Sequence, residues 1–199
     1  MRTAWRTAGI AVGVVACLTL VARTAGAQQE GSTEKPFAAG GQVRMDLSAG
    51  DYTIEPGQDN RIVVRWDTRA SDSTTPVKVD IRVEGMAATI TTSGPRNNFK
   101  VVIELPARED LRVGISAGNL KIRGITGSKD VESWAGNIDI AVGKSSDYAT
   151  VDASVTAGDL VASAFNTTKG GLFRSFSWKG PGRYTLRVKL TAGNVRLYE

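Results

Sequence analysis

From Gly41 onward the chain alternates apolar and polar residues with a period of two. The clearest run covers residues 77–84, where Val77, Val79, Ile81 and Val83 share one face and Lys78, Asp80, Arg82 and Glu84 the other. Phe99, Val101, Ile103 and Leu105 repeat the pattern, as do Leu186, Val188 and Leu190 around Arg187 and Lys189. Ile62, Val64 and Trp66 form a less regular copy. Wound as helices, these runs would scatter their apolar residues around the cylinder, and no long amphipathic helical pattern competes with them. The alternation predicts an all-β chain of short strands.

The breaks between runs carry a second pattern. Ser48-Ala49-Gly50-Asp51 recurs as Ser116-Ala117-Gly118-Asn119, Trp134-Ala135-Gly136-Asn137, Thr156-Ala157-Gly158-Asp159 and Thr191-Ala192-Gly193-Asn194. A small residue, then Gly, then Asn or Asp suits a tight turn with positive φ, so each copy reads as one corner of a repeating coil. The middle glycines are 18 and 22 residues apart, a short coil period. The 35 residues from Gly158 to Gly193 leave room for two coils, or for one coil and an inserted hairpin turning at Lys179-Gly180-Pro181-Gly182. The Gly50–Gly118 interval holds longer strands and reads as an N-terminal capping sheet. A single coil cannot bury its apolar face, so Leu111, Val113, Ile115, Leu120, Ile122, Ile138, Ile140, Val151 and Leu160 are expected to share a core. The predicted architecture is a short-strand repeat stacked as a β-solenoid or β-helix; a β-sandwich is the alternative that the same strands and turns fit.

The first residues change the picture of compartment and charge. Arg2 and Arg6 precede an uncharged apolar stretch from Ala8 to Ala22, and Ala25-Gly26-Ala27 supplies a small-residue cleavage site. Residues 1–27 therefore read as a cleaved signal peptide, 28–38 as a flexible polar spacer and 39–199 as one domain. Val14-Val15-Ala16-Cys17 also resembles a lipoprotein acylation site, although the apolar core continues past it. Without Arg2, Arg6 and Arg23 the formal net charge falls from +5 to +2, too small and scattered a surplus for nucleic acid. No membrane span is expected after cleavage. Cys17 is the only cysteine and there is no histidine. That pattern leaves no His-based triad, no Cys nucleophile and no ordinary zinc site. The expected protein is exported to the periplasm or cell surface, has no cofactor and is not an enzyme.

Ile103-Glu104-Leu105-Pro106, the apolar strand at Leu111–Ile115, then Ser116-Ala117-Gly118-Asn119-Leu120 and a second Gly136-Asn137-Ile138 form one further pattern. It resembles the bacterial putative-adhesin domain family of β-strand repeats, over about residues 40–199. The resemblance implies an exported or envelope-associated domain of unknown function and brings no catalytic residues.

Three kinds of site fit the sequence to different degrees. Asp51, Asn119, Asn137, Asp159 and Asn194 read as turn residues beside Gly50, Gly118, Gly136, Gly158 and Gly193. Calcium-binding repeats pack glycine and aspartate far more densely. Carboxylate pairs such as Asp130 with Glu132, or Asp139 with Asp152, can be drawn, and read as solvated surface. Arg174, Phe176, Trp178, Lys179, Arg183 and Tyr184 mix aromatics and cations beside a glycine turn. They could clamp a sugar or an anionic group, or the aromatics could be hairpin core. Trp134 stands where other copies carry Ser or Thr, as a core plug or an exposed platform. The expected function is an adhesion-type binding module whose partner is an envelope polysaccharide or an envelope protein. The alternatives are a scaffold that self-associates through a sheet edge and, behind it, a carbohydrate-active enzyme.

Overall fold

The structure is a computed structural model that describes residues 28–69 and 75–199. The expected leader, its cleavage site and Cys17 lie outside the described residues.

Alternation becomes strand wherever one face can be buried. β2 (Gln42–Leu47) hides Val43, Met45 and Leu47, and β3 (Gly50–Pro56) hides Tyr52 and Ile54. β7 (Phe99–Leu105) buries all four of its aligned apolar residues. Four longer strands contain the other glycine copies: β8 (Asp110–Ile122), β9 (Lys129–Ala141), β10 (Tyr148–Ala162) and β12 (Tyr184–Tyr198). Each continues through its Ala-Gly-Asn/Asp copy, so that copy is a bend inside a strand rather than a turn ahead of one. Both halves bury their inner face, Leu111, Val113 and Ile115 before the bend of β8 and Leu120 and Ile122 after it. Every core residue expected from the pattern is buried, each contributing about 2 kcal/mol of hydrophobic stabilisation.

The bent strands lie parallel and in register. Gly50 pairs level with Gly118, Gly118 with Gly136, and Gly136 with Gly193. Gly158 comes last, because β10 lies on the far side of β12. The final strand of the chain is thus inserted between two strands that precede it. The cause is β11 (Thr167–Lys179), which folds back antiparallel on β10 and leaves the opposite side of β10 open for β12. The Gly158–Gly193 interval holds one inserted strand. The hairpin expected across Lys179–Gly182 does not form, since β11 and β12 flank β10 instead of pairing with each other.

At the other end, β2 and β3 pair with the two halves of β8, and β6 (Ala87–Ser93) and β7 pair in parallel with β2 and β3. β4 (Arg61–Arg69) and β5 (Lys78–Glu84) lie antiparallel on β7 and β6. Residues 28–38, expected as a flexible spacer, instead supply β1 (Gln28–Pro36), which pairs along its whole length with β4. An edge strand needs backbone hydrogen bonds more than apolar side chains, so low hydrophobicity did not prevent it. Gly31 lets the Trp66 ring lie where a Cβ would stand, and Phe37 is buried just beyond the strand.

The bends are fixed by two stacked columns. Gly118, Gly136, Gly158 and Gly193 have φ of 114° to 135°, and a Cβ on Gly136 would stand 1.8 Å from the Gly118 carbonyl oxygen. Gly50, at the end of the column, does not share the positive φ, contrary to the expectation for that copy. Beside the glycines runs an amide ladder. Asn119 Nδ2 donates to Asp51 Oδ1 (2.6 Å), Asn137 Nδ2 to Asn119 Oδ1 (2.8 Å) and Asn194 Nδ2 to Asn137 Oδ1 (2.9 Å). The Asp159 amide donates to Asn194 Oδ1 (3.3 Å). Asn is needed inside the ladder because it both donates and accepts; Asp51 closes it as an acceptor only.

Candidate functional site

The first half of each bent strand presents an outer face, and the register of the strands arranges its side chains in rows across the stack. The row nearest the bend contains Ser48 on β2, Ser116 on β8, Trp134 on β9, Thr191 on β12 and Thr156 on β10. Trp134 is 72% exposed, so of the two expectations for it the platform describes its position and the core plug does not. The next row places Asp46, Gly114, Glu132, Lys189 and Ser154 level with one another. Gly114 leaves a hollow beside the indole: its φ is not positive, and a Cβ there would meet nothing closer than 3.8 Å. Together the rows line an open groove of about 810 Å³.

The groove is electrically quiet. Lys189 Nζ pairs with Glu132 Oε1 at 3.1 Å and Arg44 Nε with Asp46 Oδ2 at 3.2 Å. Such exposed pairs add little stability, but they leave no charge on the groove without a partner. At the β2 end the rim is held by hydroxyls. Tyr52 Oη lies 2.7 Å from Thr92 Oγ1 and 3.1 Å from Ser48 Oγ, and burial raises the Tyr52 phenol above its ordinary range. The Thr191, Thr156 and Ser154 hydroxyls make no hydrogen bond among the described residues and point their capacity at the groove or at water.

The aromatic and cationic residues expected to act together are dispersed. Phe176 is buried opposite Ala153, and Trp178 is half-buried with its ring centroid 5.0 Å from that of Phe165. Both therefore pack, as the hairpin-core alternative held, although the strand they pack on is β10. Arg174 and Lys179 are exposed on β11. Arg183 lies over the Tyr184 ring (4.7 Å to its centroid) and donates to its hydroxyl, at the corner beside Asp147. Trp134 lies apart from all of these, on the opposite face from Phe176 and Trp178, although Lys179, level with Thr150, shares its outer face further along the strands.

The carboxylate pairs fare similarly. Asp130 and Glu132 share the outer face of β9, where Glu132 is held by Lys189. Asp139 and Asp152 lie on opposite sides of their bends, in different halves of the coil. Among the described residues, no group of three or more His, Cys, Asp and Glu side chains is arranged to hold a metal ion. No helix there is long and apolar enough to cross a membrane.

Sequence reasoning passed over Gly114, Lys189 and Asp46, whose importance comes from register alone. It also passed over two buried ionisable groups that face the interior. Glu109 accepts from the Gly41 amide (2.8 Å) and the Gly40 amide (3.2 Å), and burial raises its carboxyl above the usual range. Lys129 takes a column position otherwise filled by Leu111 and Leu186; its Nζ donates to Gly127 O and to Tyr148 Oη, both at 3.1 Å. Burial pushes the Lys129 ammonium down to about 8 and the Tyr148 phenol up to about 12.

No family model matches the chain, and no curated protein matches it. Among solved structures, it is similar to a putative cell adhesion protein from Clostridium sporogenes. The match has 13% identity and covers 85% of this chain and 99% of that one, with a TM-score of 0.52. Putative adhesins from Bacteroides fragilis and Parabacteroides distasonis match at 7% and 11% identity. Each covers 86% of this chain and 98% of its own, with TM-scores of 0.27 and 0.25. The first likeness shows a shared all-β strand-repeat fold.

Proposed function

We propose that this chain is an exported, non-catalytic binding module of adhesion type, and that the Trp134 face is its contact surface. The observation that carries the reading is a tryptophan 72% exposed beside the bare Gly114 backbone, in an open groove whose lining charges, Asp46, Glu132 and Lys189, are paired. An exposed indole offers a broad flat apolar surface with a polar N–H edge, the side-chain type most enriched at binding hot spots. The likeness in fold to a putative cell adhesion protein supports the same direction. In this reading the in-register parallel strands form a β-solenoid-like stack that serves as a rigid ruler, and the leader sends it to the periplasm or the cell surface. Arg174, Lys179, Arg183 and Tyr184 lie outside the contact surface.

The test is co-sedimentation of the purified full chain with isolated bacterial envelopes, with and without prior protease treatment of the envelopes. Saturable binding supports the reading, and its survival after protease points to polysaccharide or lipid rather than protein. Absence of saturable binding to either preparation, with discrete oligomers in solution, would replace it with a self-associating scaffold.

A further inference from the structure

We propose that the Trp134 face takes a neutral, polyhydroxylated polymer, an uncharged polysaccharide, laid across the strands from Ser48 towards Phe173. This rests on the binding reading above and adds the ligand's class and direction.

Charge argues for the class. Each charged side chain in the groove already has a partner, Glu132 with Lys189 and Asp46 with Arg44. A neutral polymer leaves both pairs in place, whereas an anionic one would be drawn out of the groove to Arg112 and Arg187 in the adjacent row, which carry no ion-pair partner among the described residues. What the groove offers freely is hydroxyls and one flat indole. An aromatic face stacks on the C–H face of a sugar ring, while hydroxyls at its sides meet the ring's own hydroxyls. Trp134 is flanked by Ser116, Thr191 and the bare Gly114 backbone.

Register argues for the direction. The row runs perpendicular to the strands, one position per strand, and ends at Phe173 on β11, which falls opposite Thr156 between the pairs Val155–Arg174 and Ala157–Leu172. Phe173 is 80% exposed. It lies three strands from Trp134, about 14 Å at the usual strand spacing, the span of a short oligosaccharide. Its φ of 53° costs a residue with a Cβ roughly 1–2 kcal/mol. Strain kept at an exposed aromatic is characteristic of a working position. Exposed aromatics level with one another three strands apart suit an extended ligand.

The test is affinity electrophoresis of the full chain through gels holding hydroxyethyl cellulose, galactomannan, xylan or polygalacturonate, with cellohexaose and cellobiose as competitors. The expected result is retardation by at least one of the three neutral polymers, unaffected by added salt. Trp134→Ala should weaken it at least about tenfold. Phe173→Ala should weaken polymer binding while leaving any competition by the disaccharide unchanged. Gly114→Leu, which has room for its Cβ, should fill the hollow and block binding in a folded protein. Retardation by polygalacturonate alone, lost in salt and lost in Trp134→Ala, overturns the neutral class but leaves the face standing. Retardation by a neutral polymer that Trp134→Ala does not change overturns the Trp134 face as the contact surface and leaves the binding module standing. No retardation by any polymer overturns the polysaccharide assignment, and the envelope experiment then judges the binding reading by itself.

Discussion

At the scale of single residues, the bend column leaves little freedom. Gly136 combines a φ of 122° with a carbonyl 1.8 Å from any Cβ, whereas Gly143 has a φ of 69° and open space around it. Gly136→Ala must therefore push two strands apart, while Gly143→Ala pays only for its backbone conformation. Urea unfolding should show a loss of about 1 kcal/mol for Gly143→Ala and of about 3 kcal/mol or more for Gly136→Ala. Equal losses would mean that the stacked glycines do not set the bend. Lys129 makes a second prediction. Its folded value, about 8, lies below the 10.5 of an unperturbed lysine. Below pH 8 it is charged in both states and burial opposes folding by roughly 3 kcal/mol. Between pH 8 and 10.5 the unfolded chain binds the extra proton, so stability rises with pH. Tyr148, raised to about 12, acts in the opposite sense above pH 10, where only the unfolded chain ionises it. The wild-type unfolding midpoint should climb from pH 8 towards 10 and then fall. Lys129→Met should start higher at pH 7 and lose the climb; a parallel profile would show that the ammonium is not desolvated.

Elements were partly legible from the chain and partly not. The period of two revealed which side chains turn inward, because burial of one face is what alternation encodes. Five Ala-Gly-Asn/Asp copies likewise exposed the bends, since a bare backbone and a two-way amide are what stacking there requires. Spatial order was not legible. Nothing local distinguishes a strand that adds to the end of a stack from one that slips back inside it, and β12 does the latter. Nor does low hydrophobicity forbid an edge strand, which is why 28–36 read as spacer. Trp178 looked like a binding residue because its neighbour Phe165 lies 13 positions away in the chain. The insertion of β12 has a measurable consequence. It is hydrogen-bonded on both sides, whereas β11 has only β10. Hydrogen exchange should therefore be slowest in β12 together with β9, despite β12 being the last strand of the chain, and much faster in Thr167–Phe173 of β11. Comparable protection in the two strands would contradict the strand order.

For the whole molecule, the consequence of stacking bent strands is a rigid two-faced body with antiparallel strands at its ends. Lys169 Nζ donates to Ser175 O (2.7 Å) along β11, and a lysine over an edge strand discourages further pairing. Contact with a partner is then better served by a side-chain face than by an edge, and the Trp134 face is the one that carries an uncovered aromatic over a hollow. The most direct measurement is the saturation curve for envelope co-sedimentation of Trp134→Ala against wild type, with unfolding midpoints recorded for both. Unchanged stability with binding weakened by about tenfold or more is expected of a Trp134 contact surface. Two superimposable binding curves would contradict it.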